Sequence, residues 1–196
     1  ATICGFDLRT QSIDVKRNVG FVPESGAVFE SLSGLEYLEM IAALYGTGIR
    51  PGDRFFCPSS PAWGHGLWHG TLGPLALGVG TGAFAGRFDA DRLLRALADH
   101  RITNLSAAAT HYRMIKSAGT ASRYRYAIRK LSFTGEPIDE ATRVFTEATF
   151  GTPVCSMYGT TEVGVILASY PGAPDFTVKP GSLGKPVPNV AVEVQR

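Results

Sequence analysis

The stretch KLSFTGEPIDEATRVFTEATFGTPVCSM, Lys130 to Met157, decides the fold. Lys130–Thr134 is a short apolar run that reads as a strand. Gly135 and Pro137 then turn the chain. Proline suits a first helical position, because the N–H it lacks is one that a helix start leaves unpaired anyway. Ile138, Ala141, Phe145 and Ala148 recur at helical spacing on one face, and Gly151 ends the helix. Pro153–Met157 is a second apolar run. Two strands joined through one helix predict a parallel pair with a crossover.

The same alternation runs outward in both directions. Thr2–Cys4, Val19–Val22, Arg54–Cys57, Gly82–Ala85, Thr103–Ala107 and Val190–Val194 read as further strands. Leu35, Leu38, Ala42 and Tyr45 share a helical face, opened by a capping box of Ser33 and Glu36. Leu93, Leu94 and Leu97 mark another helix, capped near Asp89. The expected fold class is α/β: a mainly parallel sheet with helices on both faces, in three layers. The Gly/Pro-rich stretch Tyr45–Gly52 reads as a hinge, so residues 1–47 and 48–196 are expected to form two pieces.

Composition bounds the function. The chain has 196 residues, 44% hydrophobic and 18% charged, which favours a folded core over disorder. Its net charge of +2 gives no field for a nucleic-acid partner. Cys4, Cys57 and Cys155 are far apart with no C-x-x-C pair, which argues for a reduced compartment. With no visible signal peptide, the expectation is the cytoplasm. Residues 55–86 carry no Asp, Glu, Lys or Arg, but Pro58, Pro61, Pro74 and eight glycines make them core rather than a membrane span.

Three local patterns carry chemistry. In Met157-Tyr-Gly-Thr-Thr-Glu-Val163, Tyr158 offers a flat face for a base and Gly159 admits a close ligand. Thr160 and Thr161 can donate to phosphate oxygens, and Glu162 is a hard oxygen ligand suited to Mg²⁺. The same residues also read as a helix start capped by Thr160. Phe133-Thr-Gly-Glu-Pro137 is a strand end, by itself an ordinary strand–helix joint. In an open parallel sheet, however, ligands bind outside the carboxyl ends of strands. Gly66, Gly70, Pro74 and Gly78, spaced by four after Trp63, give one helical side a smooth face. His65 and His69 lie four apart without a third ligand.

Taken in order, these motifs resemble the middle of an AMP-forming acid–CoA ligase, the acyl-CoA synthetase branch of the adenylate-forming superfamily. The resemblance covers residues 52–196. It rests on Gly52-Asp-Arg-Phe-Phe, Trp63 with Gly66, Gly70, Pro74-Leu75 and Gly78, Gly135-Glu-Pro137, Tyr158-Gly-Thr-Thr-Glu162 and Pro180-Gly-Ser-Leu-Gly-Lys-Pro-Val-Pro188. It implies that Gly135, Glu136 and Pro137 frame adenine through their backbone and that Tyr158 covers the other side. Gly159 and Thr160 belong to the same nucleotide-binding strand end. Thr161 would hold the α-phosphate and Glu162 the Mg²⁺. Trp63 and Gly66 would lie near the substrate pocket. The implied ligands are ATP or AMP, Mg²⁺, coenzyme A and a small carboxylic acid. Where many members carry Asp or Asn, two residues before Tyr158, this chain has Ser156.

Further expectations follow from what that family has elsewhere. Its phosphate loop, expected before Asp53, is not found, and its ribose-gripping Asp and its C-terminal lysine domain would follow Arg196. The expectation is therefore a fragment or chimera of such a ligase, catalytically incomplete with residual adenine-nucleotide binding. The alternatives are an interaction module or folded hybrid without activity, self-associating through unpaired strand edges, and, last, ABC-type nucleotide binding. Residues 1–47 resemble instead a segment of an ABC transporter ATPase, through Ala1–Asp7, Val19–Glu24, Leu32–Leu38 and Ala42–Gly46. No G-x-x-x-x-G-K-[ST] accompanies them.

Overall fold

The computed structural model describes residues 2–3, 6–7, 10–11, 52–160, 164–169, 177–187 and 190–193. Thr2–Ile3 (β1) and Phe6–Asp7 (β2) form a small antiparallel pair. The remaining strands build one sheet in the order β4-β3-β5-β6-β7-β8-β9. They are β3 (Arg54–Cys57), β4 (Gly80–Ala83), β5 (Asn104–Ala108), β6 (Lys130–Thr134), β7 (Val154–Thr160), β8 (Gly164–Ala168) and β9 (Lys185–Pro186). From β4 to β7 every pair is parallel, and β7–β8 and β8–β9 are antiparallel. The expected α/β fold is present.

Register decides which side chains meet. Phe56, Leu105, Leu131 and Val154 stand opposite one another in turn, so they share one face of the sheet. Three helices cover that face: α2 (Ala90–Asp99), α3 (Ala109–Ala118) and α4 (Glu140–Phe150). Leu93, Leu94 and Leu97 of α2, Tyr112 and Ile115 of α3 and Phe150 of α4 complete one hydrophobic cluster with those strand residues. Burying one such leucine contributes about 1.5–3 kcal/mol. The predicted cap of α2 is formed, with Asp89 Oδ1 accepting from the Arg92 N–H at 2.7 Å. Gly151 ends α4 at φ 72°, as its sequence position predicted.

The opposite face carries Cys57, Ser106, Ser132 and Cys155. Phe55, Cys57 and Val79 are buried in a second cluster, with Trp68 against it. Trp68 belongs to a π-helical segment, His65–Leu72, that runs into the short α1 (Gly73–Ala76). The connection after β3 therefore covers one face and the helix after β5 the other.

The small residues of the π-helical segment are used as the four-residue spacing suggested, although the turn is wider than an α-helix. A Cβ on Gly66 would lie 2.1 Å from the Ser60 carbonyl oxygen, and one on Gly70 2.6 Å from Cys57 Cβ. The Thr71 hydroxyl donates to the Gly66 carbonyl at 2.9 Å, closing the wide turn locally. Gly78 lies beyond the helix, at φ 68°.

Several sequence expectations are corrected. The strand expected at Gly82–Ala85 lies two residues earlier, because Thr81 and Gly82 pair with Phe55 and Phe56. A Cβ on Gly82 would sit 2.7 Å from the Phe56 ring, so the bulky neighbour fixes the register. No helix starts at Thr160, which pairs with Gly164 across β7–β8. Residues 190–193 are not a strand; the Val190 N–H donates to the Val187 carbonyl in a turn. The strands β8 and β9 went unread. The strand expected at Val19–Val22 and the helix through Leu35 and Tyr45 lie outside the described residues.

Candidate functional site

The carboxyl ends of β6 and β7, adjacent and parallel, open into a cavity of about 640 Å³. Pockets for small molecules span roughly 300–1,000 Å³. One wall is the joint after β6. Gly135 sits there at φ 90°, a backbone conformation that glycine adopts without strain, and nothing lies within 4 Å of where its Cβ would be. The requirement is therefore conformational and not steric. Pro137 and Ile138 continue the wall.

The side chain of Glu136 reaches away to the first turn of α3. Its Oε1 accepts from the Thr110 N–H at 2.9 Å and from the Thr110 hydroxyl, and its Oε2 pairs with Arg113 Nη2 at 2.5 Å. The Thr110 hydrogen bond, with Arg113, holds the Glu136 carboxyl below its usual range. Arg113 also donates to the Pro137 carbonyl at 3.4 Å.

The second wall is β7. Tyr158 and Gly159 line the cavity at a register shift in the β7–β8 ladder, and Tyr158 is 42% exposed. Ser156 is buried on the same strand, and its hydroxyl donates to the Leu183 carbonyl at 3.2 Å. That bond ties β7 to the loop through Lys179, Gly181 and Ser182, which forms the third side. The loop is seated by Gly184 (φ 99°), where a Cβ would lie 2.0 Å from the Ala168 carbonyl oxygen. At the far end, Arg143 of α4 is held between Glu140 at 2.6 Å and Glu147 at 2.5 Å. Glu147 in turn accepts from the Val154 N–H at 3.1 Å. One guanidinium between two carboxylates leaves this end of the cavity with a net negative charge.

Residues 32–195 match the family model described as AMP-binding enzyme. The chain belongs to the AMP-binding enzyme family. It is 27% identical to the mitochondrial acyl-coenzyme A synthetase ACSM3 of Rattus norvegicus over 177 residues, 90% of this chain and 28% of that protein. It is 32% identical to an acetyl-coenzyme A synthetase of Cryptosporidium parvum over 165 residues, 79% of this chain and 24% of that one. The crystal structure of a Brucella canis acyl-CoA synthetase superposes with a TM-score of 0.68 at 29% identity, covering 76% of this chain and 29% of that one. The chain thus spans about a quarter of the length of the curated relatives it matches.

The family match begins inside the segment read as ABC-like, and the comparisons do not show that resemblance. The alignment to the rat protein, at 90% of the chain, takes in more than half of residues 1–47. No helix among the described residues is long and apolar enough to cross a membrane.

The structure brings Gly135, Glu136, Pro137, Tyr158 and Gly159 to one cavity. Thr160 is one residue beyond, exposed at the end of β7. Thr161 and Glu162 lie outside the described residues. Trp63 and Gly66 do not line this cavity. Trp63 stands 73% exposed on the loop after β3, and Gly66 is packed against the Ser60 backbone.

A polar cluster beside that loop was not expected from the sequence. His65 Nδ1 lies 3.0 Å from Ser59 Oγ and Nε2 2.8 Å from Ser106 Oγ, and Ser132 Oγ donates to Ser106 at 2.8 Å. Burial pushes His65 down to about 4 and His69, with its ring 5.9 Å away, to about 3. A neutral ring donates from one nitrogen and accepts at the other, which is what two hydroxyl partners provide. Among the described residues no group of three His, Cys, Asp or Glu could hold a metal.

Proposed function

We propose that residues 48–196 carry the adenine-nucleotide site of an AMP-forming acid–CoA ligase. The observation that supports this best is the pairing of two walls. The Gly135–Pro137 joint and Tyr158 line one cavity at the carboxyl ends of neighbouring parallel strands, where open α/β sheets bind ligands. A flat backbone edge on one side and an aromatic face on the other suit a purine.

The reaction this reading assigns has two steps. A carboxylate oxygen attacks the α-phosphorus of ATP, the bond to the β-phosphate oxygen breaks, and pyrophosphate leaves an acyl-adenylate. The thiol of coenzyme A then attacks the acyl carbon and AMP leaves. The chain's share is orientation and charge neutralisation. Its cavity walls would hold the base, and Thr161 would hold the α-phosphate. Glu162 would hold Mg²⁺, an assignment that rests on its motif. The reversal of connections around β3 and β5 supports a place for the carboxylic acid beside the Ser59–Trp63 loop. The helical segment after β3 and α3 after β5 cover opposite faces of the sheet there.

Calorimetric titration with AMP and with Mg-ATP tests the reading. Wild-type chain is expected to bind, and Tyr158→Ala to lose about 10- to 100-fold in affinity, the worth of one base–aromatic stack. Binding that ignores Tyr158→Ala would remove the site assignment. ATP–pyrophosphate exchange with a panel of carboxylic acids then reads the first chemical step.

A further inference from the structure

The wall formed by Gly135–Pro137 has little of its own to hold it in place. Gly135 carries no side chain and its Cβ position faces open space. Its neighbour Glu136 supplies what is missing. Both carboxylate oxygens are bound to α3: Oε1 by the Thr110 amide and hydroxyl, Oε2 by Arg113. Arg113 closes the loop by donating to the Pro137 carbonyl. The joint after β6 is thereby fastened to the first turn of the helix after β5. These are adjacent parallel strands, so the fastening runs along the edge of the sheet where the cavity opens.

The partners are firm in their turn. Thr110 and Arg113 flank Tyr112, which is fully buried and donates to the Ser132 carbonyl at 2.9 Å. The helix start is further fixed by His111 Nδ1, which accepts from the Ala108 N–H at 3.2 Å. Glu136 thus ties a loose joint to a rigid one.

From this geometry we infer that Glu136 is a positioning residue of the nucleotide site. Its carboxylate sets the spacing between the Gly135–Pro137 wall and Tyr158, while its own backbone forms part of the wall. The inference rests on the nucleotide reading above. Stacking of a base between two walls depends on their separation, so affinity falls with the fraction of chains whose walls are correctly placed.

The test uses the whole chain with AMP as the probe. Glu136→Ala is expected to weaken AMP binding about tenfold, as it would if the correctly placed wall fell to about a tenth of the population. Amide exchange should accelerate across residues 135–138 and stay unchanged in β5 and β6. Glu136→Gln keeps an oxygen for the Thr110 donors and loses the ion pair, and should restore most of the affinity. Thr110→Val keeps the amide donor, preserves the fold if Glu136→Ala does not, and should lose about threefold. A purely structural residue would lower the melting temperature without this graded effect on affinity. AMP binding as tight as the wild type's in all three variants overturns the inference alone. Wild-type chain that binds no AMP overturns the nucleotide reading and the inference together.

Discussion

Gly184 answers to two constraints at once. Its φ of 99° disfavours any side chain, and a Cβ would collide with the Ala168 carbonyl oxygen at 2.0 Å. Gly181, three residues earlier in the same loop, has φ 74° and open space around its Cβ position. The pair separates backbone strain from steric collision. Gly181→Ala should cost about 1–2 kcal/mol, from φ alone. Gly184→Ala should cost about 3 kcal/mol or more, because backbone must move as well. Urea unfolding of the two variants measures both costs. The same loop supplies Leu183, whose carbonyl receives the Ser156 hydroxyl. Gly184→Ala should therefore loosen the cavity as well as the fold.

At the scale of elements, α2 shows how cap and core divide the work. Asp89 satisfies one N–H at its start, and Leu97 is fully buried beneath its last turn. Asp89→Ala should cost about 1 kcal/mol and Leu97→Ala about 2–5 kcal/mol, by denaturant unfolding. The helix was legible because its cap and leucine spacing are local. Arg54–Cys57 and Lys130–Thr134 were legible to the residue, each an apolar run stopped by Pro58 or Gly135. β4 was not, since Gly80-Thr81-Gly82 has almost no side-chain signal and takes its register from Phe55 and Phe56. β8 hid behind Gly-Thr-Thr-Glu, which reads equally as a helix start. The site divides in the same way. Gly135, Pro137 and Tyr158 could be found because turn chemistry and motif are written in consecutive residues. The bonds from Glu136 to Thr110 and from Ser156 to Leu183 join residues 26 and 27 apart, and no local pattern announces them.

For the molecule as a whole, the buried histidines predict the response to mild acid. His65 and His69 stay neutral when folded down to about 4 and about 3, against 6.5 when exposed. Between those values the unfolded chain binds protons that the folded chain refuses. Stability is therefore full above about pH 6.5 and falls as pH drops below it. Glu136 and Asp139 are shifted below the usual carboxylate range, so their contribution is lost only at lower pH still. Urea unfolding at pH 7, 6 and 5 should show a decline that His69→Leu makes shallower by about one proton. A flat profile over that interval would contradict the neutral, buried state of these rings. The sheet also dictates an order of assembly. Each parallel rung from β3 to β7 can close only after an intervening stretch of chain has been laid down, and such distant pairings form slowly. The cavity is complete only where β7 pairs with β6 and the Lys179–Gly184 loop docks on Ser156. A ligand that binds only this completed cavity, and not the unfolded chain, stabilises the native state increasingly as its concentration rises.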